Sequence, residues 1–67
     1  MIVTVNGSAR ELAAGATVAV VVAEIAGADA SGVAVAVNDD VLPRAAWAVT
    51  TLAAQDRVEV LTAMQGG

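Results

Sequence analysis

The sequence predicts an α+β fold in which one main helix packs on one face of a mixed sheet of four to five strands. Three patterns predict it. A turn pair, Asn6-Gly7, separates two extended segments; apolar residues recur at helical spacing from Val18 to Ile25; and large and small side chains alternate over Val33 to Val37. Elements of these kinds, in one short chain, bury most apolar surface when the helix covers one face of the sheet.

Each element follows from local chemistry. Met1 to Val5 is apolar and largely β-branched, which suits a pleated strand. Asn6 and Gly7 both tolerate positive φ, the requirement of a type I′ hairpin turn, so Ser8 to Leu12 returns as a second strand. Gly15 marks the connection that follows. Thr17 is placed to cap a helix whose stripe is Val18, Val21, Val22 and Ile25, with Glu24 outside the stripe and Gly27 at the C-cap position. The β-branched valines of this segment oppose a helix, and the residues at its two ends favour one. Val33, Val35 and Val37 form a strand face opposite Ala34 and Ala36. Asn38-Asp39-Asp40 turns the chain, Val41 and Leu42 begin a short extended piece that Pro43 bars from a sheet centre, and Arg44 to Val49 makes a helical turn around Trp47. The last strand runs from Arg57 to about Ala63, with Val58, Val60 and Thr62 on one face and Glu59, Leu61 and Ala63 on the other.

Composition removes whole classes of function. A chain of 67 residues forms one domain and leaves little volume for a pocket. There is no Cys and no His, so disulfides, redox thiols and thiolate ligands are ruled out, and with them the commonest metal ligand and neutral-pH base. Ser8, Thr50 and Thr51 consequently have no group to activate them as nucleophiles. Asp39 and Asp40 read as turn residues, not as an acid-base pair. Trp47 reads as a packing anchor and Arg44 as one half of a surface ion pair. The net charge of −4 repels nucleic acid and suits a partner with a basic docking surface. The longest uncharged stretch, Leu12 to Ala23, is shorter than a membrane-spanning helix requires. Arg10, that stretch and Ala28-Asp29-Ala30 follow the order of a secretory leader, but Glu11 offsets Arg10 and Glu24 interrupts the apolar region. The expected location is the cytoplasm.

The C-terminus carries a feature that no structural element needs, and the plainer alternative reading of it is a frayed chain end. Ala63-Met64-Gln65 leads to Gly66-Gly67, and two residues without Cβ lie extended in a narrow channel and leave a terminal carboxylate unhindered. Five residues reach about 17 Å when extended. The expected organisation is a domain over residues 1–64 and a flexible tail over 65–67. Leu61 and Ala63 lie on the sheet face opposite Val58 and Val60. Two readings of that face stay open: a partner grips it, or the helix or a loop covers it.

The series Asn6, Gly15-Ala16-Thr17-Val18, Val37-Asn38, Val41-Leu42-Pro43-Arg44 with Trp47, Leu52, Asp56-Arg57-Val58-Glu59-Val60 and Gly66-Gly67 resembles the ThiS sulfur carriers of thiamine biosynthesis along the whole chain. Gln55 departs from the pattern, because the family commonly has Gly there. The resemblance implies a ubiquitin-like β-grasp fold with the first and last strands paired in parallel. It implies a carrier, not an enzyme. Gly67 would be adenylated by a ThiF-type enzyme similar to ubiquitin-activating enzymes, with ATP and Mg²⁺ belonging to that partner and no cofactor bound by this chain. Sulfur from a cysteine desulfurase persulfide would convert Gly67 to a thiocarboxylate, and a ThiG-type thiazole synthase would take it. Gly66 gives steric access, and Leu61, Ala63, Met64 and Gln65 are the expected partner contacts. A related carrier serving molybdopterin or another sulfur pathway is the nearest alternative, and a binding module that uses its sheet face is the alternative of another class.

Overall fold

The computed structural model describes residues 1–27 and 31–62. In chain order it contains β1 (Ile2–Val5), β2 (Ser8–Glu11), α1 (Val18–Ala26), β3 (Val33–Val37), β4 (Asp40–Leu42), a 3-10 helix (Arg44–Val49) and β5 (Arg57–Thr62). The strands form a five-stranded sheet in the order β2-β1-β5-β3-β4. β1 and β5 run parallel, with Thr4 opposite Arg57 and Val5 opposite Val58. The other pairings are antiparallel. The expected mixed sheet is therefore present at the upper end of its strand range, and its last strand lies at the centre.

Two tight turns set the register. Asn6 and Gly7 have φ of 51° and 84°, so the hairpin closes with Val5 opposite Ser8, as the type I′ reading requires. Asn38 and Asp39 repeat the device with φ of 49° and 74°, which brings Val37 opposite Asp40. The sequence reading ended that turn one residue too late. A two-residue turn with both positions left-handed returns its next residue straight to the ladder, so Asp40 is the first residue of β4 and not the last of the turn.

α1 forms despite its β-branched valines because Val18, Val21 and Val22 are buried and Ile25 packs beside them. Burial of an aliphatic side chain stabilises by about 1.5–3 kcal/mol, against a few tenths per residue lost in helix propensity. The start of the helix differs from expectation. Thr17 occupies the N-cap position, but its side chain makes no capping hydrogen bond. The helix entrance is satisfied by backbone from the segment after the 3-10 helix: Val18 N–H donates to the Thr50 carbonyl at 3.0 Å and Leu52 N–H to the Ala16 carbonyl at 2.9 Å. At the other end Gly27, with φ of 81°, donates its N–H to the Ala23 carbonyl at 3.0 Å. Arg10 on β2 pairs with Glu24 on α1 at 3.0 Å.

The core lies between α1 and one face of the sheet. Val3, Val5, Val35, Val58 and Val60 supply the sheet side, and Leu12, Leu52 and Trp47 close the ends. Trp47 is the packing anchor the sequence indicated, and its indole Nε1–H donates to the Leu42 carbonyl at 3.1 Å. Arg44 departs from its expected role. Among the described residues it joins no ion pair, and its guanidinium lies 5.7 Å from the centroid of the Trp47 ring. One helical turn of spacing puts the cation over the ring face, a contact worth about 0.5–1 kcal/mol at an exposed site.

Candidate functional site

β5 carries the chain toward its C-terminus from the middle of the sheet, so both its edges are held. At its start, Asn38 accepts the Arg57 N–H through its side-chain oxygen at 2.9 Å and donates its own backbone N–H to the Arg57 carbonyl at 2.8 Å. The Asn38 Nδ2 donates to Asp56 at 3.0 Å, and Asp56 also accepts the Ala53 N–H at 2.8 Å. Arg57 reaches Asp39 at 2.9 Å. The hydrogen bond and the charge of Arg57 hold the Asp39 carboxyl below its ordinary value of 3.8, while Asp39 raises the Arg57 guanidinium in turn. Further along, Asn6 N–H donates to the Val58 carbonyl at 2.9 Å. Its side chain then takes both polar groups of Val60, accepting the N–H at 2.8 Å and donating to the carbonyl at 3.1 Å. Sequence reasoning used Asn6 and Asn38 as turn residues and as marks of the family resemblance, not for their side-chain hydrogen bonds. An asparagine side chain is also a peptide group in miniature, and that is the property the fold uses here.

The open question about the second sheet face has a clear answer. Leu61 is 66% exposed, so neither α1 nor the 3-10 helix covers it. Ala34 lies directly opposite Leu61 on β3, and in the next row Ala36 stands between Glu59 on β5 and Val41 on β4. Val41 is 79% exposed. These side chains of β3, β4 and β5 make a small apolar patch with one acidic residue. The remaining expected contacts, Ala63, Met64 and Gln65, and the expected reacting positions, Gly66 and Gly67, lie outside the described residues.

Other candidate chemistry is not assembled. A depression of about 250 Å³ lies between α1 and the 3-10 helix, lined by Ala19, Val22, Trp47, Ala48 and others, with Arg44 as its charged member. Among the described residues that line it there is no nucleophile and no general base. Among the described residues no group of His, Cys, Asp or Glu is arranged to hold a metal ion, and no helix is long and apolar enough to cross a membrane. Asp39 and Asp40 do not work as a pair, because Asp39 sits in the turn bonded to Arg57 and Asp40 begins β4.

The turn before β5 places Gln55 where a glycine would fit best. Asp56 N–H donates to the Ala53 carbonyl at 3.1 Å, and Gln55, the third residue of that turn, has φ of 71°. This is the sign pattern of a type II turn, whose third position prefers glycine. Gln55 N–H also bonds the Ile2 carbonyl at 2.6 Å, which holds the strained residue against β1.

A helix on one face of a mixed sheet, with first and last strands parallel at its centre, defines a ubiquitin-like β-grasp domain, here one whose last strand leads to a diglycine end. Residues 3–67 match the model of the ThiS family, and the chain belongs to that family, the sulfur carriers of thiamine biosynthesis. The crystal structure of a thiamine biosynthesis protein (ThiS) from Geobacter metallireducens is 36% identical, with a TM-score of 0.80 and full coverage of both chains. The NMR solution structure of a thiamine biosynthesis protein from Geobacter metallireducens agrees at 36% identity and a TM-score of 0.80, covering 100% of this chain and 88% of that one. No curated protein matches the chain. A ThiS-type domain is a protein carrier that works with enzymes of the thiamine pathway, and it is not itself a catalyst.

Proposed function

We propose that the C-terminal carboxylate of Gly67 is the reacting group and that this chain carries sulfur on it for thiazole formation. The observation that carries the reading is the family match, which runs through residue 67. A free carboxylate is a poor acyl donor because its leaving oxygen is too basic. In the proposed route a carboxylate oxygen attacks the α-phosphate of ATP on a ThiF-type activating enzyme, pyrophosphate leaves, and an acyl adenylate remains. A persulfide sulfur, originating from cysteine through a desulfurase, displaces AMP, and cleavage of the S–S bond by a thiol leaves the thiocarboxylate and a disulfide. A ThiG-type thiazole synthase then accepts the sulfur, all in the cytoplasm. ATP and Mg²⁺ belong to the activating enzyme.

The body of the domain supports the reading in two ways. The open patch around Leu61, 66% exposed, offers partners a grip beside the strand that leads to the terminus. The sequence also holds no Cys and no Lys, its three basic residues being Arg10, Arg44 and Arg57, so no side-chain thiol or amine can attack the activated end. Intact-mass analysis after incubation with ATP, a persulfide donor and the activating enzyme tests the proposal. The expected result is a gain equal to sulfur replacing oxygen, absent from a variant lacking Gly67 that keeps the same circular dichroism. No gain in the full chain, or an equal gain in the shortened one, removes the proposal.

A further inference from the structure

β1 stops at Val5, because the Asn6-Gly7 turn reverses the chain there. β5 continues for several residues past that level. Its peptide groups alternate in direction: those of Arg57 bond Asn38 on the β3 side, while the Val58 carbonyl bonds Asn6 on the β1 side. Val60 therefore faces a stretch where β1 has no residue left to offer. The Asn6 side chain fills it. Its carboxamide accepts the Val60 N–H at 2.8 Å and donates to the Val60 carbonyl at 3.1 Å, acting as one additional residue of β1. Both bonds are partly buried, so either group of Val60 left without its partner would carry a desolvation cost. By the same alternation the polar groups of Thr62 face the β1 side, and no residue of β1 stands beside them.

Among the described residues Asn6 is thus the last point at which the β1 side of the sheet holds β5. We propose that Asn6 is a positioning residue for terminus activation: its carboxamide fixes β5 through Val60 on the β1 side, while β3 pairs with Leu61 and Thr62 on the other, so that the last residues of the strand are held in a set direction. The inference rests on the reading that Gly67 is the reacting group. Its physical content is preorganisation. Fixing a residue's backbone costs about 1–2 kcal/mol, and a segment already fixed in the free carrier does not incur that cost when an activating enzyme takes up the terminus. Once the end is seated, the partner fixes it, so the effect belongs in KM and not in kcat.

Two variants separate the clamp from the turn. Asn6→Gly keeps the left-handed φ and deletes both side-chain bonds; Asn6→Asp keeps the shape and tolerates the same φ, but sets an acceptor against the Val60 carbonyl. Arg44→Ala is the control, since it removes a contact from the helix side and leaves the end of β5 untouched. Adenylation is followed with ATP and a ThiF-type activating enzyme, well below each variant's unfolding midpoint, and amide hydrogen exchange is measured at Val60, Val3 and Val35. Both Asn6 variants are expected to raise KM for the carrier about tenfold with kcat within about twofold, and Asn6→Gly to speed exchange at Val60 beyond any change at Val3 and Val35. Arg44→Ala leaves KM unchanged. An unaltered KM in the two folded Asn6 variants, or an equal rise in Arg44→Ala, overturns the inference while the carrier reading stands. Failure of the unsubstituted chain to be adenylated overturns the carrier reading, and the inference with it.

Discussion

Replacing Gln55 by glycine should stabilise the domain, and the magnitude follows from one backbone angle. Gln55 has φ of 71° at the third position of the Ala53–Asp56 turn, and its side chain is exposed, so the substitution removes no packed surface. A residue with a Cβ incurs about 1–2 kcal/mol in the left-handed region, whereas glycine incurs almost none. Glycine is freer in the unfolded chain, which returns about 0.5–1 kcal/mol of that gain. The difference is a net stabilisation of about 0.5–1 kcal/mol, or about 2–8 °C in Tm for a domain of this size. Thermal and urea unfolding followed by circular dichroism measure it directly. Gln55→Ala serves as a control that keeps a Cβ and gains nothing comparable, and Gln55→Val should fall below the parent because a β-branched residue fits positive φ worst. A glycine variant no more stable than the parent, together with a neutral valine variant, would show that the turn does not hold residue 55 left-handed, and the reasoning would fail.

Trp47→Ala should cost about 3–5 kcal/mol, which approaches the whole stability of so small a core, so the variant should be largely unfolded at 25 °C by near-ultraviolet circular dichroism. Trp47→Phe should fold with a smaller loss, having kept an aromatic ring of smaller volume and given up the hydrogen bond to Leu42. Leu61→Gln should shift stability by no more than about 0.5 kcal/mol, because the side chain is exposed, while reducing capture by the activating enzyme in a pull-down. The Asp39–Arg57 pair should add a small acid dependence. The folded carboxyl titrates below its ordinary 3.8, so its contribution is complete above that value and is lost as pH falls through the lowered one. The difference in unfolding midpoint between the parent and Asp39→Asn, followed from about pH 6 to about pH 2, should shrink toward acid and in high salt. A difference independent of pH would rule the pair out as its source.

Periodicity and turn chemistry made most of the elements legible. Asn6-Gly7 announced its hairpin because few residues accept positive φ twice in succession, and Val33 to Val37 announced a strand because its side chains alternate in size. The helix was the harder reading. Its valines favour a strand locally, and the stripe of Val18, Val21 and Val22 won because those side chains meet the sheet and become buried. Thr17 misled, since the N-cap position was right and the partner was wrong: backbone from Thr50, distant in sequence, reached the helix entrance first. Arg44 misled for a similar reason, because a Trp one turn away offered a face where a carboxylate was expected. Of the candidate site, Leu61 was placed on the correct face by strand alternation alone, yet whether that face was open depended on which side the helix packs.

The order of elements, the Asn6-Gly7 turn and the lack of Cys and His were legible in the sequence, because they depend on local φ preference, period and composition. The tertiary structure decided that β5 lies between β1 and β3, that Asn6 and Asn38 secure its two ends, and that Gln55 is held left-handed against β1. Those facts join residues as many as 54 positions apart. No pattern within a short window encodes such a meeting, because it exists only once the helix has covered one face of the sheet and brought the first and last strands side by side.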